Sequence, residues 1–254
     1  VTGLMWQKTP DLDNKQMFNE AVHGAATFHL AGHDDWRLPT IKELYSLIQF
    51  EGNARSRPAR PYIDTDHFDF AYGNANNHDG RQIDAQYWSS TQYVGTTMND
   101  DATVFGVNFA DGRIKGYPRD RGHGGVPMQQ FVRYVRGNRD YGVNNFIDNG
   151  DGTVSDLATG LMWTKADSRR EMNWQSALAW CESQRTAGHN DWRLPSAKEL
   201  QSIVDYTRAP DATQANMRGP AIDPIFDITD GEGWFWTSTT HLEAGRVTGS
   251  WAVY

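Results

Sequence analysis

A single cysteine, Cys181, stands in a chain of 254 residues, so no disulfide can form within it and chemistry that needs a cysteine pair finds little support. Long apolar runs are missing too. Hydrophobic residues make up 38% of the chain and mean hydropathy is −0.69, with no run near the ~20 apolar residues a membrane span needs. Basic residues are in the minority, 24 Lys and Arg against 32 Asp and Glu for a net charge of −8. That balance argues against nucleic acid as a partner. No Gly-x-Ser-x-Gly elbow, phosphate loop or His-Glu-x-x-His pair occurs, which removes the commonest hydrolase and nucleotide-binding signatures. Abundant instead are glycine (24) and large rings (10 Trp, 10 Tyr, 11 Phe). Such a composition suits a loop-rich mixed fold whose core is built on aromatic side chains.

One phrase occurs twice. Gly32-His33-Asp34-Asp35-Trp36-Arg37-Leu38-Pro39 returns as Gly188-His189-Asn190-Asp191-Trp192-Arg193-Leu194-Pro195, each followed by Thr40 or Ser196 and then x-Lys-Glu-Leu. The spacing predicts a tandem repeat of one domain, over 1–140 and 141–254. Physically the phrase reads as a junction between two helices. Gly32 and Gly188 would close the helix before it in the left-handed conformation. Thr40 and Ser196 would cap the helix after it, with Glu43 and Glu199 completing a capping box. Pro39 and Pro195 cannot extend that helix backwards. Between them Trp36 and Leu38, or Trp192 and Leu194, alternate with Arg37 or Arg193 as an extended link does. An arginine between two large apolar neighbours is expected to be buried, its donors committed to carbonyls or carboxylates. A ligand-binding arginine is the alternative.

The helix before each junction carries one apolar stripe, Phe18, Ala21, Val22 and Ala25 or Trp174, Ala177, Leu178 and Cys181, which makes Cys181 a small core residue and not a nucleophile. The helix after it carries Leu44, Leu47 and Ile48, or Leu200, Ile203 and Val204. A long irregular stretch follows in each copy (51–86 and 207–233); Tyr62, Phe68, Phe70 and Tyr72 within it, and Tyr93 beyond it, offer rings for packing or for stacking on sugars. Strands then take over. Tyr87-Trp88-Ser89-Ser90-Thr91 matches Phe235-Trp236-Thr237-Ser238-Thr239. Asp111-Gly112 predicts a two-residue hairpin turn, and Phe131 to Arg136 a last strand. Gly3-Leu4-Met5-Trp6 matches Gly160-Leu161-Met162-Trp163. The pattern implies that the sequence begins after the first copy's lead-in hairpin and stops before the second copy's last strands.

Metal chemistry finds little support. Asp148-Asn149-Gly150-Asp151-Gly152 resembles a calcium loop, but the first ligand position would be Ile147 and the twelfth Ala158, so a hairpin turn is the better reading. His33 and His189 recur beside Asp35 and Asp191, with no cysteine pair to complete a zinc site. No metal, cofactor or catalytic residue is expected.

The ordered motifs Gly-Leu-Met-Trp, Trp-Arg-Leu-Pro-[Thr/Ser]-x-Lys-Glu-Leu, [Tyr/Phe]-Trp-[Ser/Thr]-Ser-Thr and Val132-Arg133-Tyr134-Val135-Arg136 resemble those of the Lcl C-terminal-domain family, named for the end domain of a bacterial collagen-like adhesin. The resemblance spans nearly the whole chain. It implies an α+β, C-type-lectin-like fold in each copy, with two helices and a mainly antiparallel twisted sheet. It also implies secreted or cell-surface proteins of bacteria, with the periplasm as an alternative, and for the adhesin member binding of sulfated glycosaminoglycans. It carries no list of binding residues. Formylglycine-generating enzymes share the fold class, but they depend on two cysteines.

The charge map supplies the remaining expectation. Residues 113–139 hold Arg113, Lys115, Arg119, Arg121, Arg133, Arg136 and Arg139 against Asp120 alone, a net of +6 in a chain of −8. Arg133 and Arg136, three apart on a strand, should face opposite ways and pair in part with internal carboxylates. Arg113, Lys115, Arg119 and Arg121, on or beyond a hairpin, should be solvated and attract a sulfated or acidic polysaccharide. A binding module with that ligand is the first reading, and a structural spacer of a larger surface protein the second.

Overall fold

The structure, a computed structural model, describes residues 2–73, 81–97, 100–121, 125–243 and 246–253. Backbone contacts divide it into two units, the first over Val1–Tyr141 and the second over Gly142–Leu242 and Arg246–Tyr254. The architecture is α+β, with small antiparallel sheets and few helices.

In the first unit the order is β1 (Leu4–Trp6), β2 (Gln16–Met17), α1 (Phe18–Thr27), α2 (Ile41–Tyr45), β3 (Gln86–Thr97), β4 (Asp101–Asn108), β5 (Arg113–Pro118), β6 (Gln129–Gln130) and β7 (Val135–Gly137). Strands β3, β4 and β5 make an antiparallel sheet, while β1 pairs with β7 and β2 with β6. Phe131 joins the outer edge of β3, donating to Gln86 O at 2.9 Å and accepting from Trp88 N at 3.0 Å. Against this sheet packs a core of Phe18, Ala21 and Ala25 from α1, Trp36 and Leu38 from the junction, and Trp88, Val104, Val132 and Tyr134. The ring of Trp88 lies fully buried, edge-on to Phe18 at 5.7 Å, and its Nε1 donates to Gln16 O at 2.9 Å.

The second unit comprises β8 (Phe146–Asp148), β9 (Thr153–Asp156), β10 (Leu161–Thr164), α3 (Trp174–Ser183), α4 (Ala197–Ser202), β11 (Phe235–Glu243) and β12 (Arg246–Val253). Here β8, β9 and β10 form a three-stranded antiparallel sheet, and β11 pairs with β12. Ala177, Cys181 and Leu194 make a small core, with Met172, Trp174, Leu178 and Trp180 packed around it.

Several expectations need correction. Gly32 and Gly188 do have positive φ (+78° in both), but neither closes the α-helix before it: α1 ends at Thr27 and α3 at Ser183, and Gly188 ends only a short 3-10 turn, Thr186–Gly188. Instead each glycine follows an alanine also at positive φ, Ala31 at 53° and Ala187 at 54°. In the first unit the two make a tight turn across which Leu30 and His33 exchange backbone hydrogen bonds of 3.2 and 3.0 Å. Consecutive left-handed residues suit a turn that matches strand twist, which a helix end does not need. The β4–β5 connection takes four residues, 109–112, because Phe109 and Ala110 are both fully buried and Asn108 accepts from Gly112 N at 2.8 Å. Residues 132–134 are not strand, since Tyr134 N turns to the side chain of Gln7 at 3.0 Å and Arg133 turns inward. Val22 is 43% exposed although it sits on the predicted apolar stripe. Part of the irregular stretch, residues 74–80, lies outside the described residues, as do residues 122–124.

Candidate functional site

Each Trp-Arg-Leu-Pro junction is a capping device. Thr40 Oγ1 accepts from Glu43 N at 3.2 Å, and Glu43 Oε2 accepts in return from Thr40 N at 2.7 Å. The same carboxylate takes both prongs of Arg37, Nη1 at 2.7 Å and Nη2 at 2.5 Å. Ser196, Glu199 and Arg193 repeat the arrangement with Glu199–Arg193 contacts of 2.8 and 2.5 Å. Trp36 and Trp192 bind alike, each Nε1 donating 3.3 Å to a backbone carbonyl, that of Leu30 or Thr186. Behind Pro39 and Pro195, Ser90 N and Ser238 N donate to the proline carbonyls at 2.7 and 2.8 Å.

Burial separates the two copies. The Arg37 side chain is 18% exposed and Glu43 1%, whereas Arg193 is 58% exposed and Glu199 24%. The expected burial of Arg193 is therefore wrong. In the first unit Arg37 exchanges backbone hydrogen bonds of 2.9 Å with Val135, so the segment through β7 lies over the junction. No such segment pairs with Arg193 among the described residues of the second unit. Trp236 shows the same contrast: its Nε1 donates to Met172 O at 2.9 Å as Trp88 does to Gln16 O, yet it is 37% exposed against 0%. Hydrogen bonding to Arg193 holds the Glu199 carboxyl down at about 2, with the Ser196 amide and hydroxyl acting in the same direction.

The basic segment is more neutralised than its sequence suggests. Lys115 Nζ meets Asp111 at 2.5 Å, and Arg119 grips Asp120 at 2.8 Å while donating 3.3 Å to Gln92. Arg136 pairs with Asp35 at 2.5 Å. Arg133 forms no ion pair with a carboxylate among the described residues. It is completely buried, its Nη atoms donating to the carbonyls of Gln7, Lys8 and Asp69 at 2.6–2.7 Å under the rings of Phe68 and Tyr87. Desolvation lowers its pKa. Carbonyls serve because they satisfy donors without needing a second buried charge. Arg113 and Arg121 are exposed, and neither has an ion pair among the described residues. Arg121 still lies close enough to help depress the Asp120 carboxyl, whose chief partner is Arg119. Of the four predicted binding residues, then, two are tied to aspartates and two stand open.

Ring stacking loses one candidate, since Tyr62 is 2% exposed and fills the space over Gly52 and Gly112. In the β8–β9 turn, Asp148 Oδ1 accepts from Gly150 N at 3.0 Å and Asp151 Oδ1 from Thr153 N at 3.1 Å; in the β9–β10 turn, Asp156 Oδ1 accepts from Ala158 N at 3.0 Å. Burial raises the Cys181 thiol pKa, with the nearby Glu182 adding to it, so it is a poor thiolate.

One feature escaped sequence reasoning. Beside the first junction lies an open cleft of about 380 Å³ lined in part by Val22, Leu38, Ser90 and Arg139. Its parts come from four distant stretches of chain, which is why the sequence gives no sign of it.

A model of the Lcl C-terminal domain family matches residues 1–136 and 152–254. No curated protein and no solved structure matches the chain.

Proposed function

The chain belongs to the Lcl C-terminal domain family, and on that premise we propose that it is a non-catalytic binding module of a secreted or cell-surface protein, recognising a sulfated or acidic polysaccharide. In this reading each matched stretch is one of two tandem C-type-lectin-like domains. The observation that supports the ligand class is the pair of open guanidiniums, Arg113 and Arg121, flanking β5 and its exit. Guanidinium suits sulfate and carboxylate through paired donors. Lys115 and Arg119, bound to Asp111 and Asp120, add little to the field of this edge.

The test is retention on a heparin column of the parent against a variant with Arg113, Lys115, Arg119 and Arg121 all changed to Ser. Retention should fall as salt shortens the Debye length from ~10 Å at 0.1 M to ~3 Å at 1 M. A parent that flows through at low salt, or a variant retained equally, rules out this edge as the site. The internal pairing of two of the four cations favours the second reading, a structural spacer, and flow-through of the parent would select it.

A further inference from the structure

The cleft beside the first junction is unlike the basic edge of β5. Its volume of about 380 Å³ falls within the ~300–1,000 Å³ typical of small-molecule sites. Apolar lining comes from Val22 and Ala25 of α1 and from Leu38. Val22, on the stripe that the sequence predicts to face inward, is 43% exposed at this cleft. Three ionised groups reach the cleft: Arg37, Glu43 and Arg139. Glu43 is saturated by Arg37 and by Thr40 N, and both Nη atoms of Arg37 are committed to it. Arg139 differs. It is exposed and makes no hydrogen bond or ion pair among the described residues.

Apolar walls with one uncommitted cation match a ligand with an aliphatic body and a single carboxylate. A sugar fits less well, because the cleft hydroxyls are engaged: Thr40 Oγ1 accepts from Glu43 N, and Ser90 Oγ donates to Pro39 O at 3.2 Å. We propose that this cleft binds a small carboxylic acid with an aliphatic body, of the size of an N-acyl amino acid, with Arg139 holding the carboxylate and Val22, Ala25 and Leu38 the aliphatic part. This does not depend on the polysaccharide reading.

The experiment titrates the ¹⁵N-labelled protein with N-acetyl-L-leucine and, separately, with N-acetyl-L-leucinamide at millimolar concentrations. Saturable shifts centred on Val22, Ala25 and Leu38 are expected with the acid, and binding about fivefold weaker with the amide, as for one partly exposed ion pair. Arg139→Gln should weaken the acid by the same factor and leave the amide unchanged. Val22→Asp, at an exposed position that tolerates a polar group, should abolish binding of both. Arg139→Gln should leave heparin retention close to the parent's, which separates failure here from failure of the polysaccharide reading. No saturable shift, equal affinity for acid and amide, or an Arg139→Gln variant binding the acid like the parent would overturn the proposal.

Discussion

Arg37 and Glu43 form a two-pronged ion pair in which Glu43 Oε2 accepts from Arg37 Nη1 and from Thr40 N, both at 2.7 Å. One carboxylate thus caps α2 and anchors the link that leads into it. The second unit repeats the bonds with Arg193 and Glu199 but leaves the arginine 58% exposed.

Unequal mutational costs should follow from that contrast. Arg37→Ala strands the 1%-exposed Glu43 and should cost about 3–5 kcal/mol of stability. Arg193→Ala removes an exposed pair and should cost about 0.2–1 kcal/mol. Denaturant unfolding of both variants checks this, and equal losses would contradict it.

Glu199 should contribute a modest share of the acid response. Its folded pKa, held at about 2 by Arg193 against the ordinary 4.5, is depressed. The stability it contributes is therefore fully present above about 4.5 and lost as pH falls toward 2. Unfolding midpoints measured across that window should drop less steeply in Glu199→Gln than in the parent. Parallel slopes would show that the pairing does not operate in solution.

Trp88 and Trp236 share a hydrogen bond but not a covering, 0% against 37% exposed. Trp88→Ala should cost about 3–5 kcal/mol, the range for a fully packed ring, and Trp236→Ala clearly less. Acrylamide should quench Trp236 and spare Trp88 when single-tryptophan replacements by Phe are compared. Equal quenching would deny the difference in covering.

The β8–β9 turn should ignore calcium. Asp148 is engaged with Gly150 N and with Lys165 at 2.6 Å, and Asp151 Oδ1 with Thr153 N and Oγ1. The melting temperature should be the same with calcium or with a chelator. A rise with calcium that Asp151→Asn abolishes would make the turn a metal site.

Legibility in the sequence followed distance along the chain. The capping boxes join residues three apart and could be read directly from Thr40-Ile41-Lys42-Glu43 and Ser196-Ala197-Lys198-Glu199. The different burial of Arg37 and Arg193 could not, because the two phrases are nearly identical and the covering contacts come from Val135 and Asn138, the latter 101 residues from Arg37. The surplus of cations over 113–139 was countable, but its neutralisation by Asp111 and Asp35 is a matter of geometry. Arg133 was expected to meet carboxylates and meets carbonyls, since two distant chain segments, at 7–8 and at 69, converge on it.

The most direct test of binding through the β5 edge divides its four cations by what already holds them. The parent, an Arg113→Ser/Arg121→Ser variant and a Lys115→Ser/Arg119→Ser variant are eluted from heparin by a salt gradient. The open pair should carry most of the retention: its loss should bring elution well forward, and loss of the aspartate-bound pair should shift it less. A parent that is not retained at low salt, or an Arg113→Ser/Arg121→Ser variant that elutes with the parent, would contradict the assignment.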